Sequence, residues 1–221
     1  YHDAVNGAPN VFWRNLAADA AGPKLRAFRA DTVAAGLDVD NDRFSMVSVF
    51  DDVDGDGDMD VLSASRHDDK IAWYENNGSE SFTAHTISTS MSYAYDVYAA
   101  DIDLDGDMDV IGASYSSDKV VWFENNGSES FTSHTVTTAA DGAASVYVED
   151  VDSDGDMDIL SASINDDEIA WYENNGSESF TMRTITTGAN GANTVFAIDV
   201  DSDGDMDVLS ASKNDDTIAW Y

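Results

Sequence analysis

Along most of the chain, apolar and polar residues alternate with a period of two, the signature of half-buried strands. The alternation breaks at regular places on runs of Asp, Asn and Gly. A short apolar run comes first, as in Val97-Tyr98-Ala99-Ala100, Val146-Tyr147-Val148 and Val195-Phe196-Ala197-Ile198. An acidic loop follows, then a second strand such as Met108 to Ser114. A polar turn, Asn165-Asp166-Asp167 in one case, leads to a third strand of the kind seen from Ile71 to Glu75. Asn-Asn-Gly then signals a tight turn. A fourth strand starts at a phenylalanine, as in Phe82-Thr83-Ala84-His85-Thr86-Ile87. Helical periodicity is essentially absent from these units.

The unit repeats. The acidic loops start at Asp52, Asp101, Asp150 and Asp199, 49 residues apart each time. Trp73, Trp122, Trp171 and Trp220 keep the same step, as do Phe82, Phe131 and Phe180. Tandem four-stranded units of this length predict propeller blades. The expected fold is therefore all-β: a β-propeller of four-stranded antiparallel blades, at about 45–89, 94–138, 143–187 and 192–221. A β-solenoid is the alternative, although its coils are usually shorter.

Residues 1–44 are irregular and carry a spare strand pair. Val11 to Asn15 resembles a third strand and Phe28 to Val33 a fourth, with an Ala-rich insertion from Leu16 to Arg26 between them that suggests a helical turn. The last unit reaches only its third strand, at Trp220 and Tyr221. Three arrangements follow: the N-terminal strand completes the last blade, the chain is part of a larger ring, or the unfinished edge pairs with a neighbouring subunit. A start at Tyr1 rather than Met fits a mature secreted chain or a trimmed one.

Each acidic loop places Asp at positions 1, 3, 5, 7 and 9 and Gly at 6. Calcium takes six to eight oxygens in flexible geometry. Alternating Asp side chains in a tight loop converge on one ion, glycine permits the sharp turn, and a carbonyl at position 7 with the Asp at 9 can finish the shell. The candidate ligands are Asp52, Asp54, Asp56, Asp58 and Asp60; Asp101, Asp103, Asp105, Asp107 and Asp109; Asp150, Asp152, Asp154, Asp156 and Asp158; and Asp199, Asp201, Asp203, Asp205 and Asp207. Magnesium keeps its waters, and zinc wants His or Cys, which the loops lack. An acidic solvated turn is the plain alternative, weakened by its recurrence in register. About four structural Ca²⁺ ions are expected, required for full stability.

These loops resemble those of the FG-GAP/VCBS repeat proteins, the family that includes the integrin α-chain propeller, and the Trp-Tyr-Glu-Asn-Asn-Gly run resembles bacterial and algal VCBS repeats. The resemblance covers roughly residues 45–221. It implies a propeller, Ca²⁺ between the first and second strands of each blade, and an extracellular or surface setting. Asp58 would then contribute its carbonyl. Members commonly have seven blades, and this chain departs from that number.

Composition agrees. With 43% hydrophobic residues the chain can fold, and 44 acidic against 10 basic residues give a net charge of −34. Such a chain repels nucleic acid and anionic membranes and attracts cations. A salt-rich habitat would explain part of the charge, but 20 of the acids sit in the loops. There is no Cys, hence no disulfide, and no apolar run approaches the ~18 residues that span a bilayer.

Asn77, Asn126 and Asn175 begin Asn-Gly-Ser sequons, readable as glycosylation sites or as repeated hairpin turns. His85 and His134 recur where the third unit has Arg183, and are read as outer-strand residues rather than ligands. The four tryptophans, and Met59, Met108, Met157 and Met206 at loop position 8, are read as core. No catalytic constellation stands out, so no enzyme is expected. The function expected is an extracellular, calcium-stabilised structural or adhesive module. It would assemble with itself through the incomplete blade or bind an extracellular protein or glycan. A lectin-like carbohydrate-binding module is the alternative.

Overall fold

The computed structural model describes residues 13–15, 28–30, 45–79 and 81–221, and among them every regular element is a strand. β1 (Trp13–Asn15) and β2 (Phe28–Ala30) form an antiparallel pair. The first full sheet is β3 (Ser45–Asp51), β4 (Asp60–Ser65), β5 (Lys70–Asn76) and β6 (Phe82–Ser88). The second is β7 (Ala94–Ala100), β8 (Asp109–Ser114), β9 (Lys119–Asn125) and β10 (Phe131–Thr137). The third is β11 (Ala143–Glu149), β12 (Asp158–Ser163), β13 (Glu168–Asn174) and β14 (Phe180–Thr186). The last holds three strands, β15 (Ala192–Ile198), β16 (Asp207–Ser212) and β17 (Thr217–Trp220). Within each sheet the strands pair antiparallel in chain order.

The repeat explains this layout. Second strands β4, β8 and β12 are buried at every position, because both faces of their sheets are covered, whereas no position of β6, β10 or β14 is buried. Leu62, Ala64, Ile71 and Trp73 of the first sheet pack against Val97, Ala99, Val110, Val121 and Phe123 of the second. The same interdigitation recurs at the next two seams. Such interfaces bury alternating apolar side chains at roughly 25 cal/mol per Å².

The seams also carry polar ties. Val146 N–H donates to Asp96 Oδ2 (3.0 Å), and Val195 N–H to Ser145 Oγ, one repeat on (3.5 Å). At the end away from the acidic loops, Asp69, Asp118 and Asp167 adopt left-handed φ of 56–59°. Each accepts on its side chain from the link to the next sheet, through the N–H of Tyr93, Gly142 and Gly191.

Two expectations change. Met59 is 52% exposed rather than a core plug. The buried apolar side chain of the first two loops is instead position 2, Val53 and Ile102. The reason is that the N–H of position 2 is drawn inward onto the buried Asp at position 9. Secondly, β1–β2 stands as its own sheet and does not complete the sheet of β15 to β17, so the sheets do not close through it. The suggested helical turn at 16–26 and the strand residues at 11–12 and 31–33 lie outside the described residues. Among the described residues no helix is long and apolar enough to cross a membrane.

Candidate metal centres

Each acidic loop joins the first strand of a sheet to the second. Glycine at position 6 is required there: Gly57, Gly106, Gly155 and Gly204 have φ of 93–99°, closed to a side chain. Position 4 is left-handed too, at Gly55, Leu104, Ser153 and Ser202, a demand the sequence did not announce because three of the four are not glycine. Backbone N–H groups then turn onto the carboxylates. Gly106 N–H donates to Asp101 Oδ2 (3.0 Å) and Asp107 N–H to Asp105 Oδ1 (2.9 Å), and the other loops repeat this.

The structure brings together Asp52, Asp54 and Asp60; Asp101, Asp103 and Asp109; and Asp150, Asp152 and Asp158, with one carboxylate oxygen from each within 4.8 Å of the others. In the fourth loop the trio is Asp199, Asp201 and Asp203. Positions 1, 3 and 9 thus converge in three loops. Asp56, Asp105 and Asp154 at position 5 stand outside those clusters, and Asp207 stands outside the fourth. Asp58, Asp107 and Asp156 at position 7 reach sideways instead. A Cβ at Gly78, Gly127 or Gly176 in the Asn-Asn-Gly turn would come within 2.3–2.5 Å of their Oδ2 atoms.

Position 9 anchors the first three sites. Asp60, Asp109 and Asp158 are completely buried at the start of the second strand. Asp109 Oδ2 accepts from Ile102 N–H (3.0 Å) in the loop, and Oδ1 from Asn125 N–H (2.7 Å) at the end of the third strand. Asp60 and Asp158 are held in the same way by Val53 with Asn76 and by Val151 with Asn174. Even so, burial outweighs these donors and pushes the carboxyls of Asp109 and Asp158 up to about 6. Burial also raises Asp54, Asp60 and Asp103. Beside the ninth residue lies the tryptophan of the third strand. The Nε1–H groups of Trp73, Trp122 and Trp171 are buried without a hydrogen bond of ordinary geometry, yet they favour the ionised carboxylate.

This donor set fits a hard divalent cation. All side-chain donors are carboxylates, the preferred ligands of calcium. Asp52 Oδ1 is buried with no hydrogen-bond partner, the kind of orphaned acceptor that an ion satisfies. Bound there, the ion would supply positive charge against three closely set carboxylates. The chain's own residues fix the loop and the buried anchor.

Asn76, Asn125 and Asn174 were legible in the sequence only as turn formers. Their N–H groups hold position 9, and their Nδ2 atoms donate to the carbonyls of Met59, Met108 and Met157 in the loops (3.1 Å each). Their 49-residue step was the available signal, masked by a turn motif that explains the same letters.

Asn77, Asn126 and Asn175 are exposed, with Oδ1 accepting from Ser79, Ser128 and Ser177. His85 and His134 lie half-buried on the outer strands. His85 stacks on Trp73 (4.5 Å between centroids) and bonds Glu75 (2.8 Å). His134 treats Trp122 and Glu124 alike (4.7 and 2.7 Å). Arg183 sits 5.5 Å from the Trp171 ring and donates to Glu173. Trp73 and Trp122 are wholly buried, as core residues, and Trp171 is partly buried, whereas Trp220 in the last sheet is 53% exposed, against the expectation that all four are core.

The FG-GAP-like repeat model matches residues 52–112, 101–161 and 150–210. No curated protein matches the chain at a significant level. Among solved structures, the chain is similar to an Agrocybe aegerita lectin described for specific recognition of non-reducing terminal N-acetylglucosamine. The identity is 22% and the TM-score 0.54, over 76% of this chain and 47% of that one. It is also similar to a catalytically inactive virginiamycin B lyase from Staphylococcus aureus with quinupristin. There the identity is 12% and the TM-score 0.50, over 81% of this chain and 56% of that one. These likenesses concern the fold, and the chain spans about half the length of either structure.

Proposed function

Since the chain belongs to the FG-GAP-like repeat family, we propose that it is a calcium-stabilised, non-catalytic scaffold of an extracellular adhesive system, built as a β-propeller or a portion of one. The observation that carries this reading is the recurrence of one aspartate cluster in four loops, three of them closed over a completely buried carboxylate. Calcium held by Asp52, Asp54 and Asp60, and by their counterparts, would relieve charge that burial makes costly and lock each loop to its sheet. Calorimetry in calcium and in chelator tests it. The melting temperature is expected to fall by several degrees or more in chelator, and an unchanged value would remove the structural role of the ion.

Its partner would be a second copy or an extracellular protein or glycan. Support comes from the last sheet, whose apolar face is exposed among the described residues. Ile218 is 82% exposed, whereas its counterpart Ile169 is fully buried under the following sheet. Trp220 and Tyr221 are exposed beside it. Light scattering across micromolar concentrations would detect self-association through that face, and I218D is expected to abolish it. Exposure of Asn77, Asn126 and Asn175 is compatible with glycosylation in a eukaryotic host.

Carbohydrate binding is the second reading. It is favoured by a cluster that, among the described residues, occurs only at the seam of the first two sheets, at the end away from the loops. There the repeat gives way to Tyr93, Tyr95 and Tyr115, with the Arg66 guanidinium 4.0 Å from the Tyr93 ring centre. Tyr93 holds φ 58° where the next two repeats have Gly142 and Gly191. A glycan array, with Tyr115→Ala as control, distinguishes this reading from the first.

A further inference from the structure

One asparagine belongs to two candidate cation sites at once. Asn125 is 3% exposed and ends β9. Its backbone N–H donates to Asp109 Oδ1, the buried carboxylate of the second site (2.7 Å). Its Nδ2 donates to Met108 O in the second loop (3.1 Å) and to Val53 O in the first (3.3 Å). Val53 lies between Asp52 and Asp54, and its own N–H donates to Asp60 Oδ2, the buried carboxylate of the first site (3.1 Å). An unbroken path thus runs from Asp60 through Val53 and the Asn125 amide to Asp109. The third polar group, Asn125 Oδ1, accepts from Gly127 N–H (3.2 Å), which holds the side chain in place between the loops.

The third sheet provides an internal comparison. Asn174 makes the own-loop bonds, to Asp158 (2.8 Å) and Met157 O (3.1 Å). Among the described residues, no hydrogen bond joins it to Ile102, the counterpart of Val53. At the loop end of the two seams, the equivalent asparagines therefore differ by the Asn125–Val53 hydrogen bond.

We propose that Asn125 is a positioning residue shared by the first and second cation sites, so that filling one raises the affinity of the other. The inference rests on the calcium reading of the loops. A cation drawing Asp52 and Asp54 inward fixes the Val53 peptide between them. A fixed Val53 carbonyl fixes the Asn125 amide, and with it the N–H that orients Asp109. Coupling of this kind is reciprocal and typically about 5-fold or more in affinity. It needs a physical element that both sites bias, which Asn125 supplies.

The test is a calcium titration of the full chain followed by amide NMR, with the Gly57 and Gly106 signals reporting the first and second loops separately. In the otherwise unaltered chain, D54N in the first loop is expected to move the Gly106 midpoint to about 5-fold higher calcium or beyond. In an N125A background, the same D54N change is expected to leave the Gly106 midpoint where N125A alone puts it. In an N174A background the shift should persist, which separates coupling from the loss of an own-loop bond. If N125A does not fold, N125S removes the same amide donor and keeps an oxygen for Gly127. A Gly106 midpoint indifferent to D54N overturns the coupling while leaving calcium binding intact. A D54N shift that survives in N125A or N125S overturns the role of Asn125. If none of the loop glycines responds to millimolar calcium, the calcium reading falls and this proposal with it.

Discussion

The backbone N–H of Val146 donates to the carboxylate of Asp96 at 3.0 Å, across the seam between the second and third sheets. Burial holds that carboxyl up at about 6, against an ordinary 3.8, despite the N–H groups of Val146 and Val97 and the Ser145 hydroxyl, which favour its charge. The folded state therefore keeps a proton that the unfolded chain has released. The group's contribution to stability is fully present below about pH 4, shrinks as pH rises, and is lost once pH passes 6. In chelator, denaturation midpoints are expected to rise on acidification from pH 7 to 5. Asp96→Ser, which installs the residue used at Ser145, should flatten that slope by an amount on the order of 1–3 kcal/mol. An identical slope in the variant would show that Asp96 does not titrate in this window.

Two aspartates of one loop should behave differently. Asp109 is buried and accepts two backbone N–H groups, whereas Asp105 is exposed and accepts one. Asp109→Ala leaves both donors buried without partners, so it is expected to cost about 2–4 kcal/mol even in chelator. Asp105→Ala should cost less than about 1 kcal/mol in chelator and more in calcium. Urea titrations under the two conditions decide the matter. Equal losses for both variants in chelator would contradict the anchoring role of position 9.

The Asn-Asn-Gly turn is closed against its loop. Gly127 has φ 68°, and a Cβ there would lie 2.4 Å from Asp107 Oδ2. Gly127→Ala should destabilise by about 1–3 kcal/mol through backbone strain and displacement of the loop. Gly188→Ala is the control, since its nearest contact would be Thr186 Oγ1 at 3.5 Å without a left-handed φ. Comparable thermal shifts for the two would remove the contact as the cause.

On the outer strands, His134 stacks over Trp122 as Arg183 stands over Trp171. His134→Arg is expected to be neutral within about 0.5 kcal/mol, and His134→Ala to cost about 0.5–1 kcal/mol. A large loss in the arginine variant would mean that the imidazole has a role other than covering the ring.

Periodicity by itself determined the strands, the four-strand unit and the loops that carry the carboxylates. Each of these is local. Alternation fixes a strand, Asn-Asn-Gly a turn, and a 49-residue step from Asp52 to Asp199 a repeated unit. The same letters could not say which aspartates converge. That depended on Asp60, Asp109 and Asp158 being drawn under the sheet edge by donors from the loop and from the third strand, 7 residues before and 16 after. They could not show that Asn125 reaches back 72 residues to Val53, or that Asp96 caps an N–H 50 residues on. Identical repeats look alike in sequence, but their surroundings differ, because each sheet is covered by its neighbours. Ile169 is buried and Ile218 bare for that reason alone. Burial, and with it the raised proton affinity of Asp60, Asp109 and Asp158, belongs to the packing of the sheets rather than to the loop letters.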